Sequence, residues 1–78
     1  MKQWILSVSY DVNGKGSFMV YYFETEQECI DKAEQDWAEF YSIPDPKKNF
    51  LARYKNNSQT VKKQVVCDSA GHCTIRNY

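Results

Sequence analysis

The stretch from Thr25 to Ser42 constrains the fold of this chain more than any other, because it has the pattern of a single amphipathic helix. Thr25 stands three residues before Glu28, which is the spacing of a capping box. In that motif a hydroxyl and a carboxylate satisfy backbone N–H groups that the first helical turn leaves unpaired. Pro44 and Pro46 follow Ser42 and cannot continue the hydrogen-bond ladder. The helix is therefore predicted to begin at Thr25 and to end at Ser42.

Apolar residues recur in this stretch every three or four positions, so they fall on one side of the helix. That side is expected to be buried, with Cys29 at its margin. The other side is acidic and is expected to face water, with Lys32 spaced to pair with Glu28 and Asp36. The buried set is Ile30, Ala33, Trp37, Phe40 and Tyr41, and the acidic helix face is Glu28, Asp31, Gln35, Asp36 and Glu39.

Two strands are predicted before the helix. Apolar and polar residues alternate from Trp4 to Tyr10, which is typical of a half-buried strand. The segment 11–17 contains Asn-Gly, which favours a hairpin turn. The segment 17–23 is apolar on both sides and rich in β-branched and aromatic residues, so it is predicted to be a central strand.

Three strands are predicted after the helix, at 50–55, 60–67 and 73–78. A polar turn at 56–59 and a Gly-containing loop at 68–72 separate them, and residues 43–49 are predicted to be a linker. The fold class is therefore α+β, in the order ββαβββ, with one amphipathic helix on one face of an antiparallel sheet. The 78 residues are expected to form a single domain, 1–78.

A single helix covers one face of a sheet and leaves the other exposed. That exposed face is expected to be basic and partly aromatic. The sequence leaves open whether Met19, Tyr21 and Phe23 in the second strand point outward with it. The candidate binding residues on the sheet face are Tyr21, Arg53, Lys55, Lys62, Arg76 and Tyr78.

Charge is distributed unevenly along the chain, although the formal net charge is zero. Residues 24–46 carry eight acidic groups and one lysine, whereas residues 47–78 carry seven basic groups and one aspartate. A zero net charge argues against a protein that neutralises many phosphates. The segregation indicates two surfaces of opposite sign, which could meet charged partners or simply keep the protein in solution.

The cellular location is expected to be cytoplasmic, with no membrane association. Residues 1–10 lack the long apolar run of a secretory signal, and no stretch has the apolar length of a membrane helix. Three cysteines, an odd number, favour a reducing compartment. Cys67 and Cys73 are accordingly expected to be free thiols, with a disulfide across the 68–72 loop or a metal site as alternatives.

No pattern in the chain predicts catalysis. Asp68, Ser69 and His72 are the residue types of a nucleophilic triad, but they share one short loop in which they cannot take up the three required positions. Gly14 and Gly16 precede a strand rather than a phosphate-binding helix N-terminus. The protein is therefore predicted not to be an enzyme, with no catalytic residue, cofactor or metal site.

The segment 13–41, with SFMVYYFETEQECIDKAEQDW at its centre, resembles small phage-encoded inhibitors of host machinery in architecture and size. These include anti-CRISPR proteins and inhibitors of host RNA polymerase, which often set a helix against a short sheet. The resemblance implies that a compact protein without a cofactor motif acts by occupying a surface on a larger complex. It places no functional residue of that group on this chain.

The function expected from the sequence is a non-catalytic protein-binding inhibitor of phage or mobile-element origin. Its partner would be a host protein or ribonucleoprotein complex that handles nucleic acid. The acidic helix face would compete for a basic groove, or the sheet face would dock on protein. The alternative is a small nucleic-acid-binding module that uses the basic and aromatic sheet face.

Overall fold

The computed structural model describes residues 2–42, 48–68 and 70–78. Five strands form one open antiparallel sheet in the order β2-β1-β3-β4-β5, and one helix lies on one face of it. The predicted α+β fold and the order ββαβββ are confirmed. Residues 43–47 of the predicted linker lie outside the described residues, and its last two residues, 48 and 49, belong to a strand instead. The elements are β1 (Trp4–Val12), β2 (Lys15–Phe23), α1 (Glu26–Tyr41), β3 (Lys48–Asn56), β4 (Val61–Cys67) and β5 (Cys73–Asn77).

The helix begins where its capping residues predict. Thr25 is extended at φ −130°, and its hydroxyl accepts a hydrogen bond from the Glu28 N–H at 3.2 Å. The Glu28 carboxylate accepts from the same hydroxyl at 3.0 Å. Glu26 and Glu28 place negative charge in the first turn, where the helix dipole favours it.

Small residues allow the helix to lie close to the sheet. Ala33 on α1 and Ala52 on β3 are both fully buried, and so is Cys29. Cys29 was expected at the margin of the buried side and instead lies in the core, where it belongs to the cluster that α1 forms with β1, β3 and β4. Tyr41 was expected to be buried and is 47% exposed, whereas its neighbour Phe40 in the same turn is buried. The buried core also contains Leu6, Val8, Phe40, Tyr54 and Val65.

Aromatic rings close the end of the core near the helix C-terminus. The Trp37 ring lies edge-on to Phe50 on β3, with centroids 5.5 Å apart, and Phe40 contacts Phe50 at 5.3 Å. The Tyr10 ring on β1 reaches Phe40 at 5.9 Å. Such ring pairs add to the stabilisation that buried area alone supplies. Twelve aromatic residues thus compensate in part for the short chain.

The β1–β2 hairpin turns on two residues, which makes the strands longer than predicted. Asn13 and Gly14 have φ values of 53° and 83°, as a type I′ turn requires. Val12 therefore pairs directly with Lys15, and the register continues without a bulge to Trp4 opposite Phe23. The hairpin turn predicted within the segment 11–17 is confirmed, but it is shorter than that segment, because most of the segment belongs to the two strands.

The prediction that the second strand is central is wrong. β2 is an edge strand, because the chain leaves it through α1 and returns as β3 on the far side of β1. Its apolar composition on both sides therefore does not reflect burial. Apart from partly buried Tyr21 and Phe23, its residues are exposed.

A polar cluster joins the start of the helix to the middle of the sheet. The Tyr54 hydroxyl donates to the Glu26 carboxylate at 2.6 Å, and the Lys63 ammonium lies 3.3 Å from the same oxygen. The Tyr54 hydrogen bond is the main cause of a lowered Glu26 pKa, with Lys63 contributing. Burial, followed by the Glu26 hydrogen bond and charge, raises the pKa of Tyr54.

We expect the Cys29 thiol to be unreactive in the folded protein. Burial, with the Glu28 and Glu26 charges, raises its pKa to about 11, and the thiolate is the reactive form. Alkylation at pH 8 should be slow in buffer and fast in denaturant. Rapid labelling under native conditions would show that the helix does not pack on the sheet as described.

The Glu26–Tyr54 hydrogen bond should make stability depend on pH at both extremes. A lowered carboxyl pKa contributes stability that is lost as pH falls below 4.5, and a raised phenol pKa contributes stability that is lost as pH rises above 10. Tyr54→Phe should lower the free energy of unfolding at pH 7 by about 1 kcal/mol and flatten both limbs. Urea denaturation across pH measures this. Tyr22→Phe, at an exposed position, is the matched control, and equal effects from both variants would contradict the assignment.

Candidate binding surfaces

The face of the sheet opposite α1, here called the open face, has no second layer over it in the described residues. Strand register decides which side chains it carries, since directly paired residues share a face. Ser7 pairs with Val20 on one side and with Arg53 on the other, so all three lie on the open face. The open face comprises Ile5, Ser7, Ser9, Asp11, Gly16, Phe18, Val20, Tyr22, Asn49, Leu51, Arg53, Lys55, Lys62, Gln64, Val66, Thr74, Arg76 and Tyr78.

Exposed apolar side chains line one edge of the open face. Phe18 is 66% exposed, Tyr22 56% and Val20 41%. These three residues of β2, here called the β2 strip, are contiguous along the strand. Contiguous exposed apolar residues mark interaction surfaces more often than isolated ones do.

Cationic side chains cover the middle and the other side of the open face. Arg53, Lys55, Lys62 and Arg76, here called the basic patch, lie on β3, β4 and β5. Asp11, beside the β1–β2 turn, is the one acidic side chain on the described part of this face. The Arg53 guanidinium stacks on the Tyr78 ring, 4.5 Å from its centroid, and Tyr78 is half exposed. The open face therefore presents positive charge next to aromatic rings.

The structure places the predicted sheet-face binding residues together on the open face, with the exception of Tyr21. Tyr21 pairs with Leu6 and lies on the helix side, where the Lys32 ammonium is 4.9 Å from its ring centroid. The open question about Met19, Tyr21 and Phe23 is thereby answered, because all three face the helix side.

Sequence reasoning missed the β2 strip. A two-residue Asn-Gly turn fixes the pairing of Val12 with Lys15, and that pairing alone places Tyr22 opposite Ile5. The Asn-Gly pair is a sequence signal for that register, but the turn was assigned only to the longer segment 11–17.

The acidic helix face is exposed except at Asp36. Glu28, Asp31, Gln35 and Glu39 are exposed to water, and Glu39 lies at the cleft between α1 and β2. The Asp36 side chain is only 13% exposed, and its carboxylate pairs with Lys32 at 3.2 Å. Asp36 therefore belongs to the boundary between helix and sheet rather than to the water-facing surface.

A shallow cleft lies between α1 and β2, next to this ion pair. Its volume is about 260 Å³, and Met19, Tyr21, Lys32, Asp36 and Phe40 contribute to its lining. Burial, with the Asp36 charge next in size, raises the pKa of Tyr21, and a hydrogen bond to Asp36 raises the pKa of Lys32. Tyr21 and Lys32 thus keep their neutral and charged forms at physiological pH, which suits a structural contact.

Cys67 and Cys73 form a disulfide across the β4–β5 hairpin, so the prediction of free thiols is wrong. The two residues are directly paired, with Cα atoms 4.0 Å apart, because the loop between them closes on Gly71 at φ 84°. Cys29 is the free cysteine, so cysteine usage no longer favours a reducing compartment. In the described residues no group of His, Cys, Asp and Glu is arranged to hold a metal ion.

The loop between the two cysteines is organised by Asp68. Its carboxylate accepts from the backbone N–H groups of Ala70 and His72, and the N–H of His72 is the main cause of its lowered pKa. His72 is exposed, 3.7 Å from the same carboxylate. Ser69 lies outside the described residues.

Comparison with protein-family models, with curated proteins and with solved structures finds no match. Within the described residues no helix is long and apolar enough to cross a membrane. The fold and its surfaces define a two-layer α+β protein with a basic, aromatic-edged sheet face on one side and an acidic helix on the other.

The disulfide should stabilise the β4–β5 hairpin. A bridge that closes a loop this short restricts the unfolded chain by about 2 kcal/mol in the chain-entropy estimate. Adding reductant should lower the urea midpoint accordingly. The double variant Cys67→Ser, Cys73→Ser should start at the lower stability and not respond to reductant. Three titratable thiols per unfolded chain without reductant would exclude the disulfide, since one is expected.

Proposed function

We propose that this protein is a non-catalytic binding protein that inhibits a larger nucleic-acid-handling complex by occupying part of its surface. The open face is its contact surface, and the partner is a protein with an acidic, partly apolar site. The observation that carries the proposal is the exposure of the β2 strip on the same face as the basic patch, with only β1 between them.

The composition of the open face supports a protein partner. Interface cores are enriched in aromatic residues and arginine, and polar rims surround them. Phe18 and Tyr22 supply aromatic area, while Arg53 is stacked on Tyr78 and so is partly ordered before binding. Preordered side chains lose less entropy when a complex forms.

The acidic helix supports an oriented encounter. Because the carboxylates lie on α1 and the basic patch lies on the opposite face, the molecule is electrically polar even though its net charge is zero. Complementary fields steer association and disfavour wrong orientations. An acidic partner site would therefore meet the open face and repel the helix.

An origin in a phage or mobile element is part of the proposal, and it rests on the resemblance of segment 13–41 to phage-encoded inhibitors. Proteins of that kind need a surface rather than an active site. A cytoplasmic location follows from the same proposal, since the host complexes in question handle nucleic acid inside the cell.

A second candidate is a module that binds single-stranded nucleic acid on the open face. The Arg53–Tyr78 stack and the four cations of the basic patch favour it, since bases stack on aromatic rings and phosphates pair with cations. If the open face binds single-stranded nucleic acid, the logarithm of the affinity should fall linearly with the logarithm of the salt concentration, with a slope of about −3.

Charge reversal on the open face should separate these functions. We expect Arg53→Glu with Lys62→Glu to abolish capture of the partner complex from a bacterial lysate, because both cations face the acidic site. Lys2→Glu with Lys15→Glu makes the same charge change off the open face and should retain capture. Circular dichroism checks that each variant folds.

Two further results decide the details. Reversal of the acidic helix face by Asp31→Lys, Gln35→Lys and Glu39→Lys should leave capture intact. Loss of capture would show that the helix, rather than the open face, makes the contact. Titration with mixed-sequence single-stranded oligonucleotides should give no binding. Micromolar binding with the stated salt slope would replace the protein partner by nucleic acid.

A further inference from the structure

The outer edge of β2 is unpaired, and this edge carries an inference beyond the proposed function. β2 stands at the end of the strand order, so its outward backbone groups meet no strand in the described residues. β5 ends the sheet on the other side, but it has five residues where β2 has nine. The long edge is therefore the one with room for another strand.

The two-residue turn determines which backbone groups point outward. Val12 and Lys15 flank a type I′ turn, so the backbone N–H of each donates to the C=O of the other. Hydrogen-bonded pairs of this kind recur at every second residue along the two strands. Residues 17, 19, 21 and 23 thus bond to β1. The N–H and C=O groups of Phe18, Val20 and Tyr22 point away from the sheet.

The devices that usually protect an edge strand are missing from this one. Proline, a bulge or an inward-pointing charge would block pairing. The segment 16–23 contains no proline and no charged residue, and the register with β1 has no bulge. The residues with outward backbone groups are also the β2 strip, whose side chains are exposed.

We propose that β2 pairs with β2 of a second copy of this chain, giving an antiparallel dimer with one continuous ten-stranded sheet. A two-fold axis perpendicular to the sheet keeps the open face of each copy on the same side. With the axis at Val20, this residue lies opposite Val20 of the partner subunit, and Phe18 lies opposite Tyr22 of the partner subunit.

Self-complementarity is the reason for choosing a second copy over a strand of another protein. The axis at Val20 matches outward backbone groups with outward backbone groups and gives about six new hydrogen bonds. It places an aromatic pair on each side of the axis, a favourable cross-strand combination. No like charges meet, because Lys15 falls opposite Thr25 of the partner subunit.

Sedimentation and hydrogen exchange over a concentration series test the dimer. The mass should rise from the 9.2-kDa monomer toward twice that value. The amides of residues 18, 20 and 22 should become protected in parallel, whereas those of 17, 19 and 21 should be protected throughout. A monomer at millimolar concentration with fast exchange at residues 18, 20 and 22 overturns the proposal. The same result is expected if this edge pairs with a strand of another protein instead.

Substitutions at the axis should abolish the dimer without unfolding the monomer. Val20→Pro removes an outward N–H, which an edge strand tolerates. Its control is Ile75→Pro, which removes an amide that points outward from β5. Val20→Lys places two like charges opposite each other across the axis. Its control, Ser9→Lys, adds the same charge one strand further in, at an exposed position whose paired residues, Phe18 and Leu51, are uncharged. A dimer that survives both Val20 variants, or is lost equally in the controls, also overturns the proposal.

Discussion

The contact between α1 and the sheet at Cys29, Ala33 and Ala52 is the constraint on which the other features of this structure depend. Side chains this small let the helix axis approach the strands, and the large residues of β1, β3 and β4 fill the space around them. A 16-residue helix is about 24 Å long and covers a stripe rather than a whole sheet. The three strands beneath it are therefore buried on one side, and β2 is only partly covered.

Local sequence signals determined the features that depend on a few neighbouring residues. The Thr25–Glu28 spacing predicted the helix start, and the alternation from Trp4 to Tyr10 predicted which side of β1 is buried. Both follow from the backbone geometry of a single element. The order of strands does not, because β3 could have joined either side of the first hairpin. The edge position of β2, and with it the exposure of Phe18 and Tyr22, was decided by that long-range choice.

Two further errors have the same origin. Cys67 and Cys73 are six residues apart, and their pairing depends on the register of β4 with β5 rather than on the cysteines themselves. Asp36 has the spacing of a water-facing helix residue, but its side chain lies against Tyr21 and Lys32, which shield it from water. In each case a contact between two elements changed what one element predicted.

The exposure of the β2 strip is itself informative about selection on this chain. A protein of 78 residues has few apolar side chains to bury, and each one left in water forgoes about 1.5–3 kcal/mol of stabilisation. Phe18, Val20 and Tyr22 nevertheless lie on the open face, where serine or threonine would serve an edge strand as well. Monomer stability does not explain these three exposed side chains, which is why they support the proposed contacts. Pairing at the β2 edge would leave both basic patches accessible on one continuous face, so a dimer and a partner contact on the open face are compatible.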